Sequence, residues 1–165
     1  MESTISTAAT EKIMIETTSW RDLNAIRQLE SLCFPKDAWP LWDIIGVLTL
    51  PNVIRLKAVN DGRLVGFIAA EVRKAEHTTW IATIGVLPSY RRRGTGTALL
   101  QMCEAQIKTP AVRLCVRRSN QAAIRLYERL DYHHVSVWTN YYQDGEDALV
   151  LEKQLQPAGG RRDRL

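Results

Sequence analysis

Short runs of alternating apolar and polar residues take turns along this chain with longer runs carrying an apolar stripe every three to four residues. Ile13 and Ile15 alternate with polar neighbours and predict a first strand over 12–18. Ser19 follows as a helix N-cap with Asp22 at the third helical position. Ala25, Ile26, Leu29, Leu32 and Cys33 then mark one face of a helix that Phe34-Pro35 ends. A second helix is predicted over 41–50, stopped by Pro51-Asn52. Residues 53–59 set Arg55 and Lys57 against Ile54, Leu56 and Ala58, and Asn60-Asp61-Gly62 signals a hairpin into a strand over 64–72. Gly66 marks a bulge in that strand. A third strand of the run covers 78–87.

A helix over 95–108 offers Leu99, Met102 and Cys103, with Leu100 and Ile107 beside them, before Thr109-Pro110 closes it. Val112, Leu114 and Val116 alternate with Arg113, Cys115 and Arg117 in a strand over 112–117. Ser119-Asn120 opens a helix with the stripe Ala123, Leu126, Tyr127 and Leu130. Two last strands, 132–141 and 148–155, flank Asp144-Gly145-Glu146. Small and polar residues at 1–9, and 156–165 with its Gly159-Gly160 pair, are expected to be loose. One domain over 10–155 is expected between them, with no internal repeat.

Composition narrows this little: 165 residues, 45% hydrophobic and 24% charged, suit one ordinary globular domain. No apolar run reaches a membrane span, and no apolar segment behind basic residues suggests a signal peptide. Cys33, Cys103 and Cys115 are scattered without metal spacing, as are His77, His133 and His134, so no metal is expected. The thiols read as reduced, in a cytoplasmic protein. The net charge of +4 is concentrated in Arg161, Arg162 and Arg164 and in Arg91 to Arg93; the rest is slightly acidic. That placement argues for a local anion site rather than a nucleic-acid face, and neither nucleic acid nor membrane is expected as a partner.

The anion site is predicted where the third strand of the run meets the next helix. Val86-Leu87-Pro88-Ser89-Tyr90-Arg91-Arg92-Arg93-Gly94-Thr95-Gly96 joins an apolar strand to a helix through a basic triplet and two glycines. The first-turn N–H groups of a helix have no partners within it, and its dipole is positive at that end. Glycines let such donors converge on one point, which suits a pyrophosphate. No Gly-Lys-Ser/Thr follows, so this is not a Walker loop. A dinucleotide fingerprint fails because Leu99 stands where its third glycine belongs.

What remains, Arg91-x-x-Gly94-x-Gly96, resembles the acyl-CoA pyrophosphate loop of the GNAT superfamily of N-acyltransferases, Gln/Arg-x-x-Gly-x-Gly/Ala. The resemblance extends over 19–155, and the predicted order β-α-α-β-β-β-α-β-α-β-β is the one this superfamily shows. It implies an α/β GNAT fold, a single mixed sheet of about seven strands flanked by about four helices, with acetyl-CoA as cosubstrate. By the resemblance, the backbone of Ile84, Gly85 and Val86 pairs with the pantetheine arm; Gly85, a glycine inside a strand, also marks a close approach. Arg91, Arg92, Arg93, Gly94, Thr95 and Gly96 hold the pyrophosphate. Asn120 bonds the CoA arm while Ser119 does the capping. Tyr127, in a segment similar to A-x-x-x-Y-x-x-x-G-F/Y, contributes to the cofactor site and is the general acid that protonates the leaving thiolate. Asp131 stands where that segment has glycine.

Asn140-Tyr141-Tyr142 followed by Glu146-Asp147-Ala148 resembles the hairpin of the ribosomal-protein alanine N-acetyltransferases and related N-terminal acetyltransferases. That resemblance implies a protein N-terminus as acceptor, with Tyr141, Tyr142, Phe34 and Pro35 shaping its site. Cys115 departs from the pattern, standing where the subgroup carries a Glu or His base. A thiol there is a weak base, a holder of water or an inert buried group, and inert is favoured. By the ordinary pKa values of the two amines, about one α-amine in seven is neutral at pH 7, against fewer than about one lysine in a thousand, so a site without a strong base suits an N-terminus. An acetyltransferase for small amines or lysine, and a non-catalytic CoA-binding regulatory domain, remain as alternatives.

Overall fold

The computed structural model describes residues 12–155; the expectations for 1–9 and 156–165 lie outside the described residues. Seven strands form one sheet: β1 (Met14–Thr17), β2 (Val53–Asn60), β3 (Arg63–Arg73), β4 (Thr78–Val86), β5 (Ala111–Arg117), β6 (His133–Trp138) and β7 (Ala148–Gln154). Their spatial order is β1-β2-β3-β4-β5-β7-β6, and β4–β5 is the parallel pair among antiparallel neighbours. Four helices, α1 (Leu23–Cys33), α2 (Leu41–Thr49), α3 (Thr95–Glu104) and α4 (Gln121–Arg129), complete the mixed α/β fold. No helix among the described residues is long and apolar enough to cross a membrane.

Local chemistry accounts for most of these elements. Ser19 forms the expected capping box, its N–H donating to Asp22 Oδ2 at 2.8 Å, although the first turn it caps is 3-10 before α1 begins. Asp61 and Gly62 both take left-handed backbone, φ 46° and 75°, as a two-residue hairpin loop requires. The register skips Val65, between Ala58↔Gly66 and Val59↔Leu64, so the bulge falls beside Gly66 rather than on it. A Cβ on Gly66 would lie 2.9 Å from Leu99 Cδ1: the missing side chain lets α3 approach the sheet.

Differences from the sequence expectation lie at element ends and stripe edges. α3 stops at Glu104 rather than at 108, because Gln106 and Ile107 donate to Cys103 and Glu104 in tighter turns. Met102 and Leu32 face solvent, 47% and 59% exposed, while Ile124 joins the core instead. β6 ends at Trp138, because the chain turns at Asn140 (φ 50°), and this leaves Tyr141 and Tyr142 in the loop before β7. Tyr132 lies outside β6, buried, with its hydroxyl donating to Glu104 Oε1 at 2.8 Å.

A second bulge positions the site. Ala69 pairs with Thr83 and Ala70 with Ile81, so Ala82 is the extra residue on β4. Directly paired residues share a sheet face, so Ile81 and Thr83 point to opposite faces despite their spacing of two. Gly85 lies on the α1 face, where a Cβ would meet Leu29 Cδ2 at 2.9 Å. Val86 lies on the α3 face, 3.8 Å from where a Gly96 Cβ would stand. Thr83 therefore shares the α1 face with Gly85. On β5, Leu114 pairs with Ile81 and shares its face, so Cys115 and Arg117 stand on the α1 face.

Candidate active site

β4 and β5 pair only from Thr78↔Ala111 to Ile81↔Leu114, though both run on to Val86 and Arg117. Beyond the Ala82 bulge they part, and a cleft of about 200 Å³ opens between them. The Leu87 N–H donates to Val65 on β3, whereas the Val86 carbonyl turns the other way and accepts from Arg91 Nε at 2.9 Å. By strand alternation, the N–H and C=O groups of Ile84 and Val86 face the parted edge. On one side the cleft is lined by Asn120, Ala123 and Tyr127 of α4 and its cap; on the α1 side it is lined by Glu30, Phe34, Asp37, Cys115, Arg117 and Tyr142.

At the end of β4, Pro88–Tyr90 forms a 3-10 turn, and Arg92 and Gly94 take left-handed backbone, φ 61° and 80°. Alternating backbone of this kind turns N–H groups to one side, and Gly94 is the N-cap of α3 without any side-chain cap. A Cβ on Gly94 would meet nothing within 4 Å, so glycine there serves the backbone angle and the open space above it. Thr95 is buried, its hydroxyl donating to the Tyr90 carbonyl at 3.4 Å. Gly96 sits between Val86 and Leu126 of α4. Of the three arginines, Arg91 folds back onto Val86, and Arg93 lies over the Tyr90 ring at 5.4 Å.

Tyr127 is 6% exposed, its ring 5.7 Å from that of Tyr132, and burial pushes its phenol well above the usual range. Asn120 Oδ1 accepts from Ala123 N–H at 3.2 Å, so Asn120 rather than Ser119 caps α4. Its amide N–H groups remain for another partner. Gly85 owes its missing side chain to the packing of Leu29, Cys33 and Phe34 of the α1 end, which differs from the expected ligand approach.

Arg117 organises the α1 side. Its guanidinium donates to both Asp37 oxygens at 2.7 Å, to Asp144 at 3.0 and 3.1 Å and to Glu146 at 2.7 Å, and it lies 4.0 Å above the Tyr142 ring. These bonds hold Arg117 charged and pull the Asp144 carboxyl below the usual range; Glu146 is lowered first by Ser119, whose N–H donates to its Oε1 at 2.8 Å, and then by Arg117. The Tyr141–Tyr142 loop is thereby fastened to the segment after Phe34. Tyr141, half exposed, packs edge-on against Tyr142 and faces Cys115. Burial lifts the Cys115 thiol to about 11, with the Tyr141 hydroxyl pulling the other way. Pro35 is exposed and stands outside the cleft lining.

Residues 14–132 match the model of the acetyltransferase (GNAT) family. The chain belongs to the GNAT acetyltransferase family. It is 31% identical over 142 residues to the N-terminal acetyltransferase A complex catalytic subunit NAA10 of Arabidopsis thaliana, covering 82% of this chain and 74% of that protein. The crystal structure of the ribosomal-protein-S18-alanine N-acetyltransferase from Escherichia coli superposes with a TM-score of 0.80 at 27% identity, over 91% of this chain and 98% of that one. Arabidopsis thaliana NAA60 in complex with acetyl-CoA shares the fold, with a TM-score of 0.77 at 22% identity over 87% and 99% of the two chains.

In this GNAT cleft meet Phe34, Ile84, Cys115, Asn120, Tyr127 and Tyr142 of the residues singled out by sequence. The arginines and Gly94 to Gly96 stand together at the end of β4, apart from the cleft lining. Sequence reading missed the Arg117–Asp37 pair, 80 residues apart, and the carboxylate of Glu30. Arg117 read there only as the polar side of a strand. Glu30 carried a weak signal: it follows the apolar Leu29 directly and falls at the edge of the buried stripe of α1. Among the described residues no group of three or more His, Cys, Asp or Glu could hold a metal ion.

Proposed function

We propose that this GNAT acetyltransferase moves the acetyl group of acetyl-CoA onto the α-amine of a protein N-terminus. The observation that carries the proposal is the parted β4–β5 edge with a different set of groups on each face. The pyrophosphate sits on the N–H groups at Gly94, Thr95 and Gly96, with Arg91, Arg92 and Arg93 around it. The pantetheine arm runs along the open N–H and C=O groups of Ile84 and the N–H of Val86, past Gly85, and meets the free amide of Asn120. Its thioester then lies beside Tyr127. The acceptor enters from the α1 face, where Phe34 and Tyr142 line the cleft and Tyr141 packs beside Tyr142 around its first residues.

A neutral amine attacks the thioester carbon in a ternary complex, with a strand N–H polarising the carbonyl. Tyr127 gives its proton to the departing sulfur; burial keeps the phenol protonated and raises the basicity of a thiolate in the same dry place. Cys115, a thiol raised to about 11, stays protonated and takes no part as a base. The free thiols Cys33, Cys103 and Cys115 support a reducing, cytoplasmic setting. In that setting the partners are acetyl-CoA and a polypeptide, with neither nucleic acid nor membrane.

The test is acetylation of a panel of peptides with free N-termini against peptides with a blocked N-terminus and free lysine, and against small amines. Release of CoA with only the free N-termini is expected. Turnover confined to lysine or small amines replaces the acceptor assignment; acetyl-CoA binding with no turnover on any amine points to a regulatory domain.

A further inference from the structure

Glu30 is 1% exposed, on the last full turn of α1. Its Oε1 accepts from the Thr83 hydroxyl at 2.8 Å, while Oε2, equally buried, has no hydrogen-bond partner among the described residues. The side chain lines the cleft on the α1 face, the face on which Cys115, Arg117 and the tyrosine loop also stand. A buried carboxylate with one oxygen unused is costly. Arg117, on the same face, is fully engaged with Asp37, Asp144 and Glu146 and leaves Glu30 without a cation. The group that completes such an oxygen has to be a donor arriving from the cleft, and an acceptor ammonium is the donor that the proposed function brings there.

Resting on that function, we infer that Glu30, held by Thr83, is the proton acceptor for the incoming amine, filling the role that Cys115 does not. The ammonium gives one N–H proton to Glu30 Oε2, which passes it to solvent. The neutral amine forms the C–N bond, the C–S bond breaks, and the thiolate takes the Tyr127 proton. The surplus proton of the new amide nitrogen leaves through solvent and restores the phenol, so each turnover releases one proton. Thr83 is a positioning residue, fixing the carboxylate from β4 just beyond the bulge.

Burial raises the Glu30 carboxyl above its ordinary 4.5, against the Thr83 hydroxyl and the nearby Trp39 N–H, which stops short of a hydrogen bond to Oε2, and so toward the pH at which a base is most useful. Other ionisable groups around it are Cys33 on α1, itself beside Arg91, with Asp37, Cys115, Arg117, Tyr127 and Tyr142 across the cleft. Burial moves the thiols and phenols upward, and Asp37 is bonded at both oxygens by Arg117. Below neutrality, Glu30 is then the group in the cleft whose titration the rate reports.

The experiment is the pH profile of kcat/KM for Glu30→Gln on the best acceptor peptide, with folding checked by circular dichroism and acetyl-CoA affinity by calorimetry. A deficit of about 20-fold at pH 6.5, closing to less than about twofold at pH 9 where the amine is already neutral, is expected. A rate within twofold of the parent at pH 6.5, or a loss equal at every pH, overturns the assignment. Should Glu30→Gln fail to fold, Thr83→Val decides. Without the hydroxyl the acid limb of the parent profile moves to higher pH by at least about half a unit, and an unmoved limb overturns it. A parent that acetylates some other amine refutes the N-terminal acceptor but leaves the Glu30 test to be run on that amine. A parent that acetylates none overturns both.

Discussion

Tyr127 has its phenol on the α4 side of the cleft and its ring against Tyr132 in the core. Removing only the hydroxyl separates these two duties. Tyr127→Phe should keep Tm and acetyl-CoA affinity close to the parent values while lowering kcat by about 10²-fold or more, the usual worth of a proton donor. Turnover at the parent rate would reduce Tyr127 to a packing residue. Cys115 gives the opposite expectation. Its thiol is protonated at neutral pH and faces Tyr141, so Cys115→Ala removes no base. Acetylation should stay within about threefold, less than half of the 1.4 kcal/mol that a tenfold change represents. Loss of acetylation in a folded variant that still binds acetyl-CoA would make the thiol catalytic and refute this assignment.

At the scale of elements, the loop before α3 and the end of α4 each hold a left-handed residue. Gly94, at φ 80°, has open space where a Cβ would stand. Gly94→Val strains the backbone by about 1–2 kcal/mol and places a branched side chain over the N–H groups of the α3 turn. Acetyl-CoA affinity should fall at least tenfold by calorimetry; affinity within twofold would remove the pyrophosphate from this loop. At the end of α4, Asp131 N–H donates to the Glu128 carbonyl and Tyr132 N–H to that of Tyr127, the paired closure that usually has glycine between. Asp131 adopts it at φ 66°, keeping the cap at a cost in strain. Asp131→Gly should therefore raise stability by up to about 1 kcal/mol without changing kcat, as denaturant midpoints would show. These two ends also mark how far the sequence was legible. Gly94 declared itself through local rules of caps and turns; the cap of α4 was placed one residue early, on Ser119 rather than Asn120, and the glycine missing at 131 showed only against the family segment. Leu32, Met102 and the end of α3 did not declare themselves, because a stripe of apolar residues does not say which of its edges the sheet covers. Arg117 and Glu30 were hidden for a related reason: a single charged residue in a strand or helix reads as solvated until a partner from a distant segment is folded against it.

For the molecule as a whole, one extra residue in β4 links fold to function. The Ala82 bulge reverses the faces beyond Ile81, parts β4 from β5, and brings Thr83 under α1, where it meets Glu30. The site is thus built at a place where sheet pairing has been given up and a carboxylate buried. Both choices cost stability, and the second can be read through pH. Glu30 has its pKa raised in the folded chain, so between 4.5 and that raised value the folded state binds more protons than the unfolded one. Stability then falls as pH rises through this window and stays lower above it. Asp22, Asp144 and Glu146, with lowered values, act in the other direction and lose stabilisation on acidification. Because they are common to parent and variant, they cancel in a difference. The Tm of Glu30→Gln minus that of the parent should therefore grow more positive from pH 4.5 to pH 8, as the parent acquires a buried charge that the amide lacks. A carboxylate kept for architecture alone would be fully partnered and would show the reverse trend, with the variant losing ground as pH rises. Thermal melts at four or five pH values across that range distinguish the two, and a variant that is both more stable at pH 8 and slower at pH 6.5 is what a buried, working base requires.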